Sequence, residues 1–449
     1  MAHPSPRKLK LGAFLPGSGQ HVAAWRHPEA GIEGVLDIEY YKRLVRTAER
    51  GLFDVFFLAD GLSQPLRASS GLTSFGVLFE PVTLFAALST VTEHIGFVAT
   101  ASTTYEDPFL LARKFASLDH LSKGRAAWNL VTTESAEAAL NFSLDQQPSH
   151  EERYRRAEEF HDVVTGLWDT WDDDALVRDR DSGVFFDGDR VRALDHKGPL
   201  FQVRGPLNIP RPPQGHPVVV QAGSSEAGRE LAARTADVIF TAQQELAEAQ
   251  AFYRDVKARL AKYGRSPEDL KIMPGVQPYV ARTEEEARRK YQELEELILP
   301  ELGLGLLSGL TGGQVDLSKY ELDGPLPELP LTQGNRSRQS LVYEIARSRG
   351  LSIRELYKWV AGARGHWTII GTPVQIADRL QEWFENEAAD GFNIMPPVLP
   401  RDIDDFVDLV VPELQRRGLF RTEYEGRTLR ENLGLARPGI HRQQPSPVA

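Results

Sequence analysis

Asp60, Thr100, Asn129 and the pair Ser224–Ser225 each follow a short apolar run, so each stands where a buried strand would end. The runs are Phe53–Ala59, Ile95–Ala99, Ala126–Trp128 and Val218–Val220. Asn129 carries a donor and an acceptor, which suits the edge of a heterocycle or, equally, a loop-capping amide. Asp60 is a carboxylate aimed into a pocket, or a turn residue before Gly61. Gly223–Arg229 runs from a strand end into a helix, where exposed N–H groups, two hydroxyls and the helix dipole make a phosphate cradle. The same serines also fit a plain N-cap. His150 opens another helix and Tyr154 lies four residues later, so an imidazole and a phenol share one face beside a second helix start. No third and fourth ligand stand at metal-binding spacing, so no metal site is expected.

Such groups form one site only if the strands that carry them end on one face. Continuous Val/Ile/Leu/Phe runs imply parallel strands covered on both sides by helices. Leu9–Leu15, Phe53–Ala59, Ile95–Ala99, Arg125–Val131, Val218–Val220, Val238–Phe240, Ile272–Val276 and Phe392–Met395 give eight of them. Helices are expected between them, near 39–50, 81–91, 108–121, 150–171, 246–260, 372–384 and 402–417. Ser149-His-Glu-Glu152 opens one as a capping box, and Thr283-Glu-Glu-Glu286 caps another. The pattern predicts an α/β fold, a (β/α)8 TIM barrel, with the chemistry at the C-terminal strand ends. A doubly wound sheet fits less well, because no Gly-rich dinucleotide fingerprint follows the first strand.

Two stretches break the repeat. Residues 173–216 are rich in Asp, Gly and Pro and contain hairpin-like runs at Val184–Phe186 and Leu200–Val203. Residues 300–366 hold a Gly/Leu-rich segment, a Pro-rich segment and a helix near Arg338–Ser348. That second stretch looks poorly packed locally and is the better lid candidate. The whole chain, 1–449, is expected to be a single barrel carrying these two insertions.

Net charge is −11 and basic residues are dispersed, which argues against general binding to nucleic acid or anionic membranes. There is no cysteine, so disulfides, thiolate catalysis and Cys-ligated metals are excluded. No apolar run approaches a membrane span, and Met1–Lys10 has no apolar signal core. A cytoplasmic location is the expectation.

Several ordered motifs together resemble one family. They include Ala24–Pro28, Phe56–Gly61, Thr100–Tyr105, Leu111–Ser122, Gly124–Thr132, His150–Tyr154, His196–Gly198, Gly205–Asn208, Gln221–Ser225, Gly371–Pro373, Ala388–Phe392 and Thr428–Gly434. The chain resembles the nitrilotriacetate and dibenzothiophene-sulfone monooxygenase (component A) group of the bacterial-luciferase-like flavin-dependent monooxygenases. The resemblance spans nearly the whole chain. It implies a luciferase-like TIM barrel using reduced FMN, supplied by a separate NAD(P)H-dependent flavin reductase, with O2 to oxygenate a small organic substrate. C–S or C–N cleavage is the implied outcome, and a homodimer or homotetramer the implied assembly. Asp60, Thr100 and Asn129 should then line the flavin, while His150, Tyr154, Ser225 and Ser224 hold its phosphate. Catalytic candidates are Asp60, Asn129 and, in the loop after the first strand, His21, Trp25 and His27. A deazaflavin-dependent oxidoreductase and a non-catalytic flavin-binding protein are the alternatives.

Overall fold

In a computed structural model, residues 7–64, 71–133, 135–312, 315–330 and 336–440 are described. Residues 1–6 of the stretch read for a signal core, and Gly313 at the end of the Gly/Leu-rich segment, lie outside them. The strands are β1 Lys10–Phe14, β2 Val55–Leu58, β3 Gly96–Ser102, β4 Ala126–Val131, β5 His196–Lys197, β6 Gln202–Val203, β7 Val218–Gln221, β8 Val238–Thr241, β9 Lys271–Val280, β10 Trp367–Gly371 and β11 Gly391–Ile394. Parallel pairing runs β1–β2–β3–β4–β7–β8–β9–β11 and returns from β11 to β1, which closes the expected eight-stranded barrel.

Two strands depart from the reading by sequence. β3 continues to Ser102, so Thr100 lies within the ladder, paired with Asn129 of β4. β9 is ten residues long, and its second half, Val276–Val280, pairs in parallel with β10. β10 was not foreseen. It is a five-residue run whose burial alternates, and Trp367 is held by stacking on Trp383 at 4.2 Å, a contact with no local signature in sequence.

The core has two layers, as parallel barrels require. Outward-facing Phe56, Phe97, Trp128 and Phe392 pack under the helices, among them α1 (Ile38–Arg50), α2 (Pro81–Leu88), α3 (Pro108–Leu121) and α4 (His150–Trp168). Inward-facing Val55, Phe57, Val98, Ala127, Val220, Phe240 and Met273 fill the barrel. Leu429 and Leu433 of a C-terminal turn of helix join this inner cluster, and a Cβ on Gly96 would lie 2.7 Å from Leu429 Cδ1. The N-terminal end of the barrel is thus plugged, and the opposite end is left for chemistry.

Helix starts follow their capping residues. The Ser149 hydroxyl accepts from Glu152 N–H while the Glu152 carboxylate accepts from Ser149 N–H. The predicted cap at Thr283 forms as well, starting α7 (Glu284–Glu296), and Thr372 caps α11 (Pro373–Glu385). α5 (Glu226–Thr235) and α6 (Leu246–Arg259) cover β7 and β8. In the first insertion Leu176 bridges Phe186, and β5 pairs antiparallel with β6. The second holds α8 (Pro300–Leu310), α9 (Arg336–Arg349) and α10 (Ile353–Ala363).

The expectation of poor packing in the second insertion does not hold. Leu302, Leu307, Ile353, Leu356, Tyr357 and Val360 bury a second cluster, joined by Val22 and Ala23 of the loop after β1. Gly303 permits it: a Cβ there would meet Tyr357 Cδ2 at 2.3 Å, so glycine lets α8 and α10 approach closely.

Candidate functional site

β2, β3 and β4 lie side by side, with Leu58 opposite Ala99 and Thr100 opposite Asn129. The buried Thr100 hydroxyl donates to the Leu58 carbonyl at 2.8 Å, so its oxygen is free to accept. Asn129 Nδ2 donates to it at 2.8 Å. The amide orientation is therefore forced, and Asn129 Oδ1 has no hydrogen-bond partner among the described residues although Asn129 is only 4% exposed. A buried acceptor left unmatched costs about 1–3 kcal/mol. A ligand that fits here brings an N–H or O–H donor.

Asp60 follows β2 and is half-buried, its Oδ1 accepting from Gly61 N–H at 2.9 Å. It is thus a turn residue and a carboxylate at the barrel mouth together. Burial pushes its pKa from 3.8 up to about 6, with Gly61 opposing and the charges of Glu80 and Glu106 assisting. The folded pKa lies above the unfolded one, so folding favours the protonated form. The cost to stability is absent below pH 4, grows as pH rises from about 4 to 6, and is complete above that. Asp60→Asn keeps the acceptor for Gly61 and removes the charge. Its melting temperature relative to wild type is expected to rise by about 1–2 °C between pH 4 and pH 7.5. A constant offset across that range in thermal denaturation would contradict the shift.

The two helix starts also converge. The rings of His150 and Tyr154 lie 4.5 Å apart at 30° on the first turns of α4. A Cβ on Gly223, in the loop after β7, would come 3.0 Å from Gly228 Cα and 3.4 Å from Tyr154 Oη. That close approach brings the phenol to the N-terminus of α5. Ser225 is the N-cap of α5, its hydroxyl accepting from Gly228 N–H at 3.1 Å, and Ser224 beside it is exposed. The arrangement offers hydroxyls, an imidazole and a helix N-terminus to an anion.

The histidines after β1 are tied elsewhere. His21 is buried, its Nδ1 accepting from Ala23 N–H at 3.1 Å while Nε2 faces Glu295 Oε1 at 3.7 Å. Trp25 Nε1 donates to the Leu72 carbonyl at 3.1 Å. His27 Nδ1 accepts from Glu29 N–H, and its Nε2 lies 3.3 Å from Arg401 Nη1 and 3.7 Å from Glu293 Oε2. No hydrogen bond among the described residues joins the three to the Asn129–Thr100 relay.

Sequence reasoning missed the apolar floor of the barrel mouth. Phe14, Phe57 and Phe240 contact one another at centroid distances of 5.3–5.6 Å, and His366 stacks on Phe240 at 5.1 Å. Their inward alternation was readable strand by strand. His366 was not, because it arrives from the end of the second insertion. Among the described residues no group of three or more His, Asp or Glu could hold a metal, and no helix is long and apolar enough to cross a membrane.

A barrel with a donor-seeking amide on β4 and a hydroxyl-lined helix start beyond the neighbouring β7 matches the chain's sequence relationships. Residues 18–390 match the family described as luciferase-like monooxygenase, and the chain belongs to that family of flavin-dependent monooxygenases. It is 54% identical over 434 residues to N-acetyl-S-(2-succino)cysteine monooxygenase of Bacillus subtilis (strain 168), covering 96% of this chain and 98% of the relative. Nitrilotriacetate monooxygenase component A of Aminobacter aminovorans is 53% identical over 450 residues, covering 98% and 99%. A crystal structure of riboflavin lyase with modified FMN and riboflavin superposes with a TM-score of 0.85 at 33% identity, covering 95% of this chain and 96% of that one. The chain is accordingly an oxygenating enzyme.

Proposed function

We propose that this monooxygenase is the oxygenase half of a two-component system: a separate NAD(P)H-dependent reductase supplies it with reduced FMN, and it oxygenates a small organic substrate. The observation that carries the flavin placement is the orphaned Asn129 Oδ1, since an isoalloxazine edge bears N–H donors. In this reading Asp60, Thr100 and Asn129 line the ring, while His150, Tyr154, Ser224 and Ser225 hold the phosphate. The residues present fit the group.

Reduced flavin supplies two electrons to O2, so that one oxygen atom enters the substrate and the other leaves as water. The chain's own contribution is placement and charge. The Thr100 relay fixes the Asn129 amide toward the ring, and Asp60 holds or releases a proton near pH 6 at the mouth. Phe14, Phe57 and Phe240 keep the floor dry, and in this reading the second insertion acts as a lid that excludes water. The names of the two close relatives point to a C–N and a C–S substrate, which supports cleavage of such a bond here.

With no dinucleotide fingerprint, NADH or NADPH alone is expected to leave bound FMN oxidised over a turnover time. Stopped-flow bleaching of flavin absorbance at turnover rates without added reductase would falsify the two-component reading. We further infer a homodimer or homotetramer built on the early helices, where α3 exposes Leu110 (52%) and Leu121 (57%). Light scattering at micromolar concentration should give at least twice the 50.1 kDa chain mass, and a monomer would exclude this assembly.

A further inference from the structure

One turn into α4, Arg153 sits beside the site without a counter-charge. Its Nη1 donates to the Thr132 carbonyl at 3.3 Å and to that of Thr133, just past the end of β4. Its Nε is buried and has no partner, and no carboxylate among the described residues pairs with it. Arg156, three residues on, differs: its Nε and Nη2 are satisfied by the Thr103 and Glu106 carbonyls. The Tyr105 hydroxyl is a second buried group without a partner. The two meet at one carbonyl: the Thr104 hydroxyl, one residue before Tyr105, donates at 2.8 Å to the same Thr132 oxygen that Arg153 Nη1 reaches. Burial raises the pKa of the phenol, and the charge of Arg153 opposes the rise. The Tyr105 ring stacks on Phe142 at 4.6 Å and 15°, and Gln147 Nε2 closes the corner by donating to the Thr133 carbonyl at 2.7 Å.

Satisfying the end of β4 uses one nitrogen of the guanidinium. A planar cation with an unmatched N–H, next to an unmatched phenol, is the donor set for a carboxylate. The flavin phosphate is a poorer match. Neighbouring residues on a helix point about 100° apart, and Tyr154 meets the Gly223 loop while Arg153 meets Thr133.

We propose that Arg153 and Tyr105 bind a carboxylate of the substrate, with Tyr105 and Phe142 covering its apolar stem. The substrate class is thereby a small organic acid; this rests on the oxygenase reading above. Asn129 and Thr133 belong to one strand end, so an acid held here lies beside the ring site and not over the phosphate cradle.

The test is calorimetric binding to the full chain loaded with oxidised FMN, using N-acetyl-S-(2-succino)cysteine and its trimethyl ester as probes. The wild type should bind the acid at least 10-fold more tightly than the ester. Arg153→Gln should lose that preference, Tyr105→Phe should reduce it several-fold, and Arg153→Lys should keep part of it. FMN affinity, measured without acid, should stay within two-fold in all three. If Arg153→Gln does not fold by circular dichroism, Tyr105→Phe carries the test, because it removes a single oxygen. A wild type that does not prefer the acid, or variants that weaken FMN and leave the acid preference intact, overturn the proposal. Substrate turnover with a reductase is scored separately, so an acid preference without turnover would count against the oxygenase reading and not against this one.

Discussion

Replacing Asn129 by alanine is expected to lower coupled oxygenation by about 10²–10³-fold, the usual cost of removing a preorganised group aimed at developing charge. The amide is held by one bond to Thr100, which is itself held by the Leu58 carbonyl, so its orientation precedes ligand binding. Asp60→Ala should act in the same sense through loss of charge control. Both variants should release more hydrogen peroxide per NADH consumed while FMN affinity falls less. Tyr154→Phe and Ser225→Ala should show the reverse, because they stand at the Gly223–Gly228 cradle, beyond the end of the neighbouring β7. The measurement is product formed per NADH consumed, alongside FMN affinity, for each of the four. Affinity and coupling lost in equal proportion by all four would remove the division of roles.

The second large effect concerns the phosphate. FMN should bind at least about 10²-fold more tightly than riboflavin, since two charge-assisted hydrogen bonds contribute about 1.5–3 kcal/mol each. The donors are the Tyr154 phenol, the serine hydroxyls and the first N–H groups of α5 ahead of Gly228, whose own N–H is taken by Ser225 Oγ. The preference should shrink at high salt less than an exposed ion pair would, because Tyr154 and Ser225 are half-buried. Calorimetry with the two flavins decides it: equal affinities would leave the cradle without an anion to hold.

Much of this architecture was legible in sequence because its signals are local. Continuous apolar runs marked β1–β4, β7–β9 and β11, and Ser149 with Glu152 marked the start of α4 to the residue. The i, i+4 spacing of His150 and Tyr154 translated directly into neighbouring rings. What escaped depends on contacts distant in sequence. β10 is defined by the far half of β9 and by the Trp383 ring, neither of which its own five residues announce. The length of β3 is set by pairing through Val131 of β4. Glycine and leucine in α8 looked loose because Tyr357, which fills the space over Gly303, lies more than fifty residues away. The ties of His21 to Glu295 and of His27 to Arg401 were invisible for the same reason.

The apolar cluster of α8–α10 has an evolutionary reading. Most of its buried side chains come from 298–361, and the barrel loops join it at seams: Val22 and Ala23 after β1 are part of the cluster, Val22 N–H donates to the Ala361 carbonyl, and Gln277 donates to the Gly362 carbonyl. A segment built this way can be exchanged whole between relatives, or randomised in a library, without disturbing the residues beneath β2–β4. If the proposed lid sets substrate choice, new substrate ranges would arise by recombining this segment over an unchanged barrel, and chimeras joined near Leu299 and Gly365 would test it.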